Sequence, residues 1–293
     1  MQNLITTSDF TNEEILSLFD DAKTFSDLQT RPILKGKLIV PLFFENSTRT
    51  RSSFEIAAKR LGADVVSLDV GTCSRSKGET IFDTVANICA MKPDLIVIRH
   101  SQRGLPQSLV EHVSCPIINA GDGENAHPTQ ALLDLFTILE HFDSKVQGKK
   151  LAIVGDVKTS RVASSNASLL PRFGIEPIFV APKHFQVDDT KLRQYEFLSE
   201  IIDELDIVMS LRTQLERHSQ IYYASLQEYA KDYCITKKCF GSRDILLLHP
   251  GPVNRNVDID DEMLEDKRNK ILKQVQNGVA VRMAVLKKLL LQD

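Results

Sequence analysis

The sequence predicts an α/β fold of two domains, each with a central, largely parallel sheet flanked by helices. Three observations carry this reading. Short apolar runs such as LeuIleValProLeuPhePhe and LeuAlaIleVal alternate with segments whose apolar residues recur every three or four positions, the periods of buried strands and amphipathic helices. The alternation breaks at the polar stretch 142–150, PheAspSerLysValGlnGlyLysLys, and then restarts. A chain of 293 residues holds two domains of ordinary size. The expected division is 1–143 and 149–270, with a C-terminal helix 271–291 packing back on the first domain.

Taken in order, Asn12 to Phe25 is an expected helix, with Ile15, Leu16, Leu18, Phe19, Ala22 and Phe25 on helical spacing. The run 34–44 changes period and reads as a buried strand, leading through SerThrArgThr into a helix that Gly62 ends. A strand over 63–68, a helix near Glu79–Cys89, a strand at 94–98, a helix after Pro106 and a strand at 116–119 continue the pattern. A long helix from His127 to Leu139 has Pro128 in its first turn. Beyond the break come a strand from Lys150, a helix over 162–173, and strands at 177–180, 206–209 and 245–249. Ile271, Val275, Val279, Met283, Leu286 and Leu290 then mark one helical stripe, with Gly278 a weak point inside it.

Composition excludes several classes of function. With 36 Lys and Arg against 39 Asp and Glu, the net charge of −3 and the lack of a long basic run give no footprint for nucleic acid. The five cysteines form no CxxC pair, which fits reduced thiols in the cytosol. No secretory signal and no apolar run of membrane-spanning length is present, so a cytoplasmic protein is expected. HExxH, GxGxxG, GxxxxGKT and GxSxG are all absent, so no metal, no redox or nucleotide cofactor and no serine nucleophile is expected.

The unusual polar sequences fall where strands end, which is where parallel sheets place ligands. Ser47, Thr48, Arg49 and Thr50 open a helix directly after a buried strand, and hydroxyls, helix-start N–H groups and a guanidinium together make a phosphate cradle. Lys77 lies in the hydrophilic loop 72–79 and, taken alone, reads as a solvated lysine. Arg99 ends an apolar strand, either on its rim or over the crevice, where burial would require an anion. His127 and Gln130 share a helix face one turn apart at a helix start. Arg161, Arg212, Gln214 and Arg217 come from different loops and either stay scattered or meet at a carboxylate. HisProGlyProValAsnArg, from His249 to Arg255, offers backbone carbonyls fixed by prolines, with a cis bond expected before Pro250 or Pro252. Gathered positive charge in a net acidic chain expects a multiply anionic substrate and direct group transfer governed by positioning.

Taken together, SerThrArgThrArgSerSerPheGlu, SerLysGlyGlu, ArgHis, HisProThrGln, the Arg161 loop, ArgThrGln and HisProGlyProValAsnArg resemble, in order and spacing, the catalytic chains of the aspartate carbamoyltransferase family. The ending AsnGlyValAlaValArgMetAlaValLeu extends the likeness over nearly the whole chain. The resemblance implies carbamoyl transfer from carbamoyl phosphate to L-aspartate in pyrimidine synthesis, by a homotrimer whose active sites are shared between chains. It implies that Ser47, Thr48, Arg49 and Thr50 hold the phosphate, and that Thr50, Arg99 and His127 polarise the carbonyl oxygen. Gln130 would accept from the carbamoyl amide, with Pro250 and Gly251 adding carbonyls. Arg161 would bind the α-carboxylate, Arg212 and Gln214 the side-chain carboxylate, and Lys77 would reach a neighbouring chain's site. Cys73 stands where the family usually has a loop serine, with Ser74 next to it, and Gly251 where some members carry a larger residue. Ornithine carbamoyltransferases share the SerThrArgThrArg cradle but ordinarily have HisProCysGln and HisCysLeuPro. A non-catalytic homologue would have lost His127, Arg99 or Lys77. A trimer alone, a trimer with regulatory chains and a larger pathway assembly all fit the sequence.

Overall fold

The computed structural model describes residues 2–68, 79–213 and 222–291. It divides into two compact units, Met1–Phe136 together with Val275–Asp293, and Thr137–Gln274. Each unit is built on a parallel sheet, as the alternation of periods predicts.

In the first unit, α1 (Asn12–Thr24) starts at a capping box: Thr11 accepts the Glu14 N–H, and the Glu14 carboxylate accepts the Thr11 N–H. Ile15, Leu18, Phe19 and Ala22 form its buried face, while Leu16 is exposed. There follow β1 (Leu38–Phe43), α2 (Thr48–Arg60), β2 (Asp64–Val65), α3 (Ile81–Ala90), β3 (Leu95–His100), α4 (Leu105–Leu109), β4 (Ile117–Asp122) and α5 (Pro128–His141). The sheet order is β2-β1-β3-β4. The expected strand 63–68 is shorter than its composition suggested, with two residues in β2 and one further bridge from Leu68 to Leu42. That shortening accommodates Pro41 inside β1. Its carbonyl accepts from Leu68, so its missing N–H lies on the same side, beyond the end of β2, and the ladder to β3 is untouched. The sequence reading missed one contribution: Leu4 extends the sheet beside β4, donating to Ile117 O and accepting from Asn119 N.

The second unit contains β5 (Lys150–Val154), α6 (Arg161–Leu169), β6 (Glu176–Val180), β7 (Gln194–Tyr195), β8 (Ile207–Ser210), α7 (Leu226–Tyr233), α8 (Lys237–Phe240), β9 (Leu246–Leu248) and α9 (Asp261–Leu264). Its sheet order is β7-β6-β5-β8-β9. The helix expected over 162–173 stays α-helical only to Leu169 and tightens to 3-10 geometry through Phe173, because Pro171 has no N–H for the α ladder. In both sheets the chain reverses direction around its first strand. The chain leaves β1 toward β2 on one side and leaves β3, the neighbour of β1 on the other side, toward β4; likewise it leaves β5 toward β6 and β8 toward β9 in opposite directions. The loops after β1 and β3, and after β5 and β8, therefore part and leave a crevice at the carboxyl end of each sheet.

The last helix, α10 (Ile271–Leu290), starts where expected and ends one residue before the expected 291. Val279, Met283 and Leu286 are buried as the stripe predicts, but Val275 is half exposed, and Ala280, Val281, Ala284 and Val285 are buried as well. The middle of α10 is therefore enclosed on nearly every side. Lys287 and Lys288 pair with Asp21 and Glu14 of α1 at 2.6 and 2.9 Å. The Thr11 N–H first, then Lys288 and Gln2, hold the Glu14 carboxyl down at about 2. A carboxylate with a lowered folded-state pKa contributes stability above its unfolded value, and that contribution fades as pH falls toward the folded value. Glu14→Gln is therefore expected to lower stability at pH 7 by about 1 kcal/mol, the exposure of the pair limiting the effect. The difference should shrink below pH 4.5 and vanish near pH 2. Denaturant unfolding of both proteins across that range checks this, and a difference that persists at the acid end would exclude the charge as its cause.

Candidate active site

Ser47, Thr48, Arg49 and Thr50 lie at the start of α2, directly beyond β1. Thr48 and Arg49 are exposed and Ser47 and Thr50 partly so. The Ser47 hydroxyl makes no capping bond, so it does not consume the first-turn N–H groups. Parallel pairing sets Arg99, near the end of β3, in register with Phe43 at the end of β1. Arg99 Nη1 donates to Thr50 Oγ1 at 3.4 Å and to Ala120 O at 3.3 Å, and Nε donates to Glu45 Oε1 at 2.6 Å. The β3–β4 register slips by one residue between Ile98 and His100, which is the irregularity that turns the Ala120 carbonyl toward the guanidinium. Arg99 thus faces the crevice at Thr50, the second of the two positions its sequence allowed.

His127 and Gln130 arrive from the other side of the same sheet. The loop after β4 is organised by Asp122, which is fully buried. Its carboxylate accepts from Asn119 Nδ2, Gly104 N, Asn125 Nδ2 and Ala126 N at 2.7 to 3.0 Å. Gly123 makes the turn possible: its φ is +50°, and a Cβ there would sit 2.7 Å from the Ser101 carbonyl oxygen. The His127 carbonyl then accepts from Gln130 N and Ala131 N, so His127 caps α5 and is itself 4% exposed. Gln130 Nε2 donates to the buried Asp134 at 2.9 Å, which fixes the amide with Oε1 as its acceptor end.

In the second unit, Arg161 is the first residue of α6, beyond β5, and is 5% exposed. Ser160 caps that helix through the Ala163 N–H. Arg212 follows β8, so the sheet order places both arginines on loops that flank the same crevice. The HisProGlyPro segment follows β9, and its cis bond is Gly251–Pro252. Asp258, 1% exposed, connects these pieces. It accepts from Thr213 N and Oγ1 at 3.0 and 2.7 Å, from Asn254 N at 2.8 Å, and faces His249 Nε2 at 3.2 Å. Because Gly251 N donates to His249 Nδ1 at 2.7 Å, the imidazole proton belongs on Nε2, pointing at Asp258. One carboxylate therefore positions the residue after Arg212 and, through His249, the backbone at Gly251.

Lys77, Cys73, Ser74, Gln214 and Arg217 lie outside the described residues. Sequence reasoning passed over Glu45 and Asp258. Glu45 gave a signal, an acidic residue immediately before the cradle, whereas Asp258 sits in an acidic stretch, ValAspIleAspAspGlu, that reads as solvated. Among the described residues no group of three or more His, Cys, Asp or Glu side chains is placed to hold a metal ion, and no helix is long and apolar enough to cross a membrane.

Residues 2–140 match the family model for the carbamoyl-phosphate-binding domain of aspartate/ornithine carbamoyltransferases, and residues 147–289 match the model for their Asp/Orn-binding domain. The chain belongs to the aspartate/ornithine carbamoyltransferase family. Within it, a relative from Aliarcobacter butzleri named aspartate carbamoyltransferase catalytic subunit is 66% identical, over 100% of this chain and 99% of its own length. A relative of the same name from Campylobacter lari is 59% identical over the full length of both. Among solved structures, the catalytic subunit of M. jannaschii aspartate transcarbamoylase superposes with a TM-score of 0.88 at 35% identity, covering 99% of this chain and 98% of that one. The Trypanosoma cruzi enzyme in complex with carbamoyl phosphate and aspartate gives 0.90 at 30% identity, covering 99% and 97%.

In this carbamoyltransferase, Asp258→Ala would strip the acceptor from Thr213, Asn254 and His249 inside the second unit. Each buried donor left without a partner costs about 1–3 kcal/mol, partly relieved by water. The expected loss is about 3–5 kcal/mol, read from the urea midpoint. A loss under about 1 kcal/mol would show that the loops hold their places without it.

Proposed function

We propose that this chain transfers the carbamoyl group of carbamoyl phosphate to the amino group of L-aspartate, giving N-carbamoyl-L-aspartate and phosphate in pyrimidine synthesis. The observation that carries this reading is full-length identity, up to 66%, to relatives named aspartate carbamoyltransferase catalytic subunit. The positions of Arg99 and Thr50 at the end of the first sheet agree with it. Residues 1–143, with helix 271–291, form the carbamoyl-phosphate-binding domain, and 149–270 the aspartate-binding domain. Ser47, Thr48, Arg49 and Thr50 take the phosphate, while Gln130, Pro250 and Gly251 accept from the carbamoyl amide. Arg161 takes the α-carboxylate of aspartate, and Arg212 and Gln214 its side-chain carboxylate.

The neutral aspartate amine attacks the trigonal carbon, a C–N bond forms, and negative charge gathers on the carbonyl oxygen. Thr50, Arg99 and His127 donate to that oxygen, and each well-aimed donor stabilises the transition state by about 2–4 kcal/mol. The C–O bond to phosphate then breaks, and the departing phosphate takes the proton from the amine nitrogen. Neither a covalent enzyme intermediate nor a separate general base is needed. Aspartate rather than ornithine is the acceptor because Arg161 and Arg212 select an anion, and HisProThrGln and HisProGlyPro stand where ornithine enzymes ordinarily carry cysteine.

The chain assembles as a cytoplasmic homotrimer in which Lys77 enters the site of a neighbour, and the name of its relatives leaves room for a regulatory chain. Mixing inactive Lys77→Ala with inactive Arg49→Ala chains should then restore part of the wild-type activity, because some sites receive both intact residues. A fully active monomer in ultracentrifugation would rule this out.

Substrate assignment is tested by assaying carbamoyl-aspartate formation with aspartate and ornithine as competing acceptors; turnover of ornithine alone would reverse it. Arg212→Ala should lower kcat/KM for aspartate at least about 100-fold, about 3 kcal/mol, with carbamoyl-phosphate affinity nearly intact. Arg49→Ala should weaken carbamoyl phosphate and free phosphate first. Calorimetric titration with phosphate alongside aspartate saturation kinetics distinguishes the two, and equal loss of phosphate affinity in both would show the arginines wrongly assigned.

A further inference from the structure

Arg282 is a charged residue in the enclosed middle of α10, flanked by Val281 and Met283 and only 4% exposed. Its Nη1 donates to Ser53 Oγ of α2 at 3.0 Å and to the Gly278 carbonyl at 3.0 Å, and its Nη2 lies 3.5 Å from Thr129 Oγ1 of α5. The guanidinium carbon stands 5.1 Å from the centroid of the Phe54 ring. Ser53 is one helical turn beyond Arg49, and Thr129 lies between His127 and Gln130. The glycine that weakens the helix on paper has its reason here: a Cβ on Gly278 would come within 2.7 Å of Arg282 Nη1 and 3.1 Å of Leu133 Cδ2.

Through Ser53 and Thr129 the guanidinium touches both the helix that carries Thr48–Thr50 and the helix that follows His127. Burial pushes Arg282 down to about 10; Asp134 acts against that, and the charges of Arg49 and Arg99 push it further down. Its three hydrogen-bond acceptors are neutral. A buried charge whose hydrogen-bond acceptors are all neutral carries a desolvation penalty that the nearby Asp134 carboxylate offsets only in part. What the charge does supply is positive potential at Arg49 and Arg99, and one buried point that both helix starts contact.

We propose that Arg282 is a positioning residue for the phosphate cradle: it ties the start of α2, with Ser47–Thr50, to the start of α5, with His127 and Gln130, and sets a fixed positive charge behind Arg49 and Arg99. The proposal rests on the carbamoyl-phosphate reading of that cradle. Three variants test it. Arg282→Met should weaken inorganic phosphate at least tenfold by calorimetry and lower kcat/KM for carbamoyl phosphate by as much, with KM for aspartate within twofold at saturating carbamoyl phosphate. Arg282→Lys, which keeps the charge, should recover most of the phosphate affinity. Gly278→Ala should fold, since alanine is the better helix former, yet weaken phosphate at least threefold by displacing the guanidinium. That variant carries the test if Arg282→Met does not fold. Wild-type phosphate affinity in Arg282→Met or in Gly278→Ala overturns the proposal, as does a Lys variant as weak as the Met variant. A wild-type protein that binds no phosphate and forms no carbamoyl-aspartate would instead overturn the reading of the cradle itself.

Discussion

Positive charge gathered at the carboxyl ends of β1 and β3 is the constraint around which the first unit is arranged. Burial first, and then the charges of Arg49 and Arg99, lower the proton affinity of Arg282, so the three guanidinium groups share one neighbourhood. Glu45 on Arg99 and Asp134 near Arg282 offset part of their charge, and the first turn of α2 adds its own positive end. Local charge stays positive. The sheet holds the arginines in place, because Arg99 is in register with the residue that ends β1, and the Ala120 carbonyl is turned to meet it.

How much of this could be read from the sequence depended on the range over which each interaction acts. Periodicity is local, and it located the longer strands and helices of both units, including α10, but not the short β7, α8 and α9. Pro41 illustrates the boundary. The run that contains it reads as a buried strand from its apolar residues alone, and only the early end of β2, a pairing set more than twenty residues further along, shows why the proline is tolerable there. Leu4 was passed over because a single bridged residue has no period. The placement of Ser47–Thr50, and of His127 and Gln130, at helix starts beyond strands was visible because it follows from local sequence. Asp258, Glu45 and the partners of Arg282 were not, because their meaning lies in contacts between distant positions.

Composition contributed little to the functional reading beyond what it excluded. An ordinary net charge concealed a local excess of arginine, and it was the spacing of short motifs along nearly the whole chain that pointed to carbamoyl transfer. The acceptor follows from charge chemistry. Ornithine presents a cation where aspartate presents a second carboxylate, and a guanidinium near the acceptor favours one and repels the other.

Both units use the same device to hold their loops, a buried aspartate at the carboxyl end of a parallel sheet. Asp122 collects donors from Asn119, Gly104, Asn125 and Ala126, and Asp258 collects them from Thr213, Asn254 and His249. A carboxylate suits this task because it is compact and accepts about four hydrogen bonds, and its desolvation is tolerable only when those sites are filled by N–H and O–H groups. Filling them fixes several backbone segments at once. His127 is delivered by the loop that Asp122 ties, and the Gly251 backbone by the imidazole that Asp258 orients. A reaction with no covalent intermediate and no dedicated base depends on donors already aimed before charge develops. Loops tied to a buried anion are rigid in the way such aim requires, which is why these two carboxylates, neither of them placed to touch a substrate in the proposed mechanism, belong to the chemistry as much as to the fold.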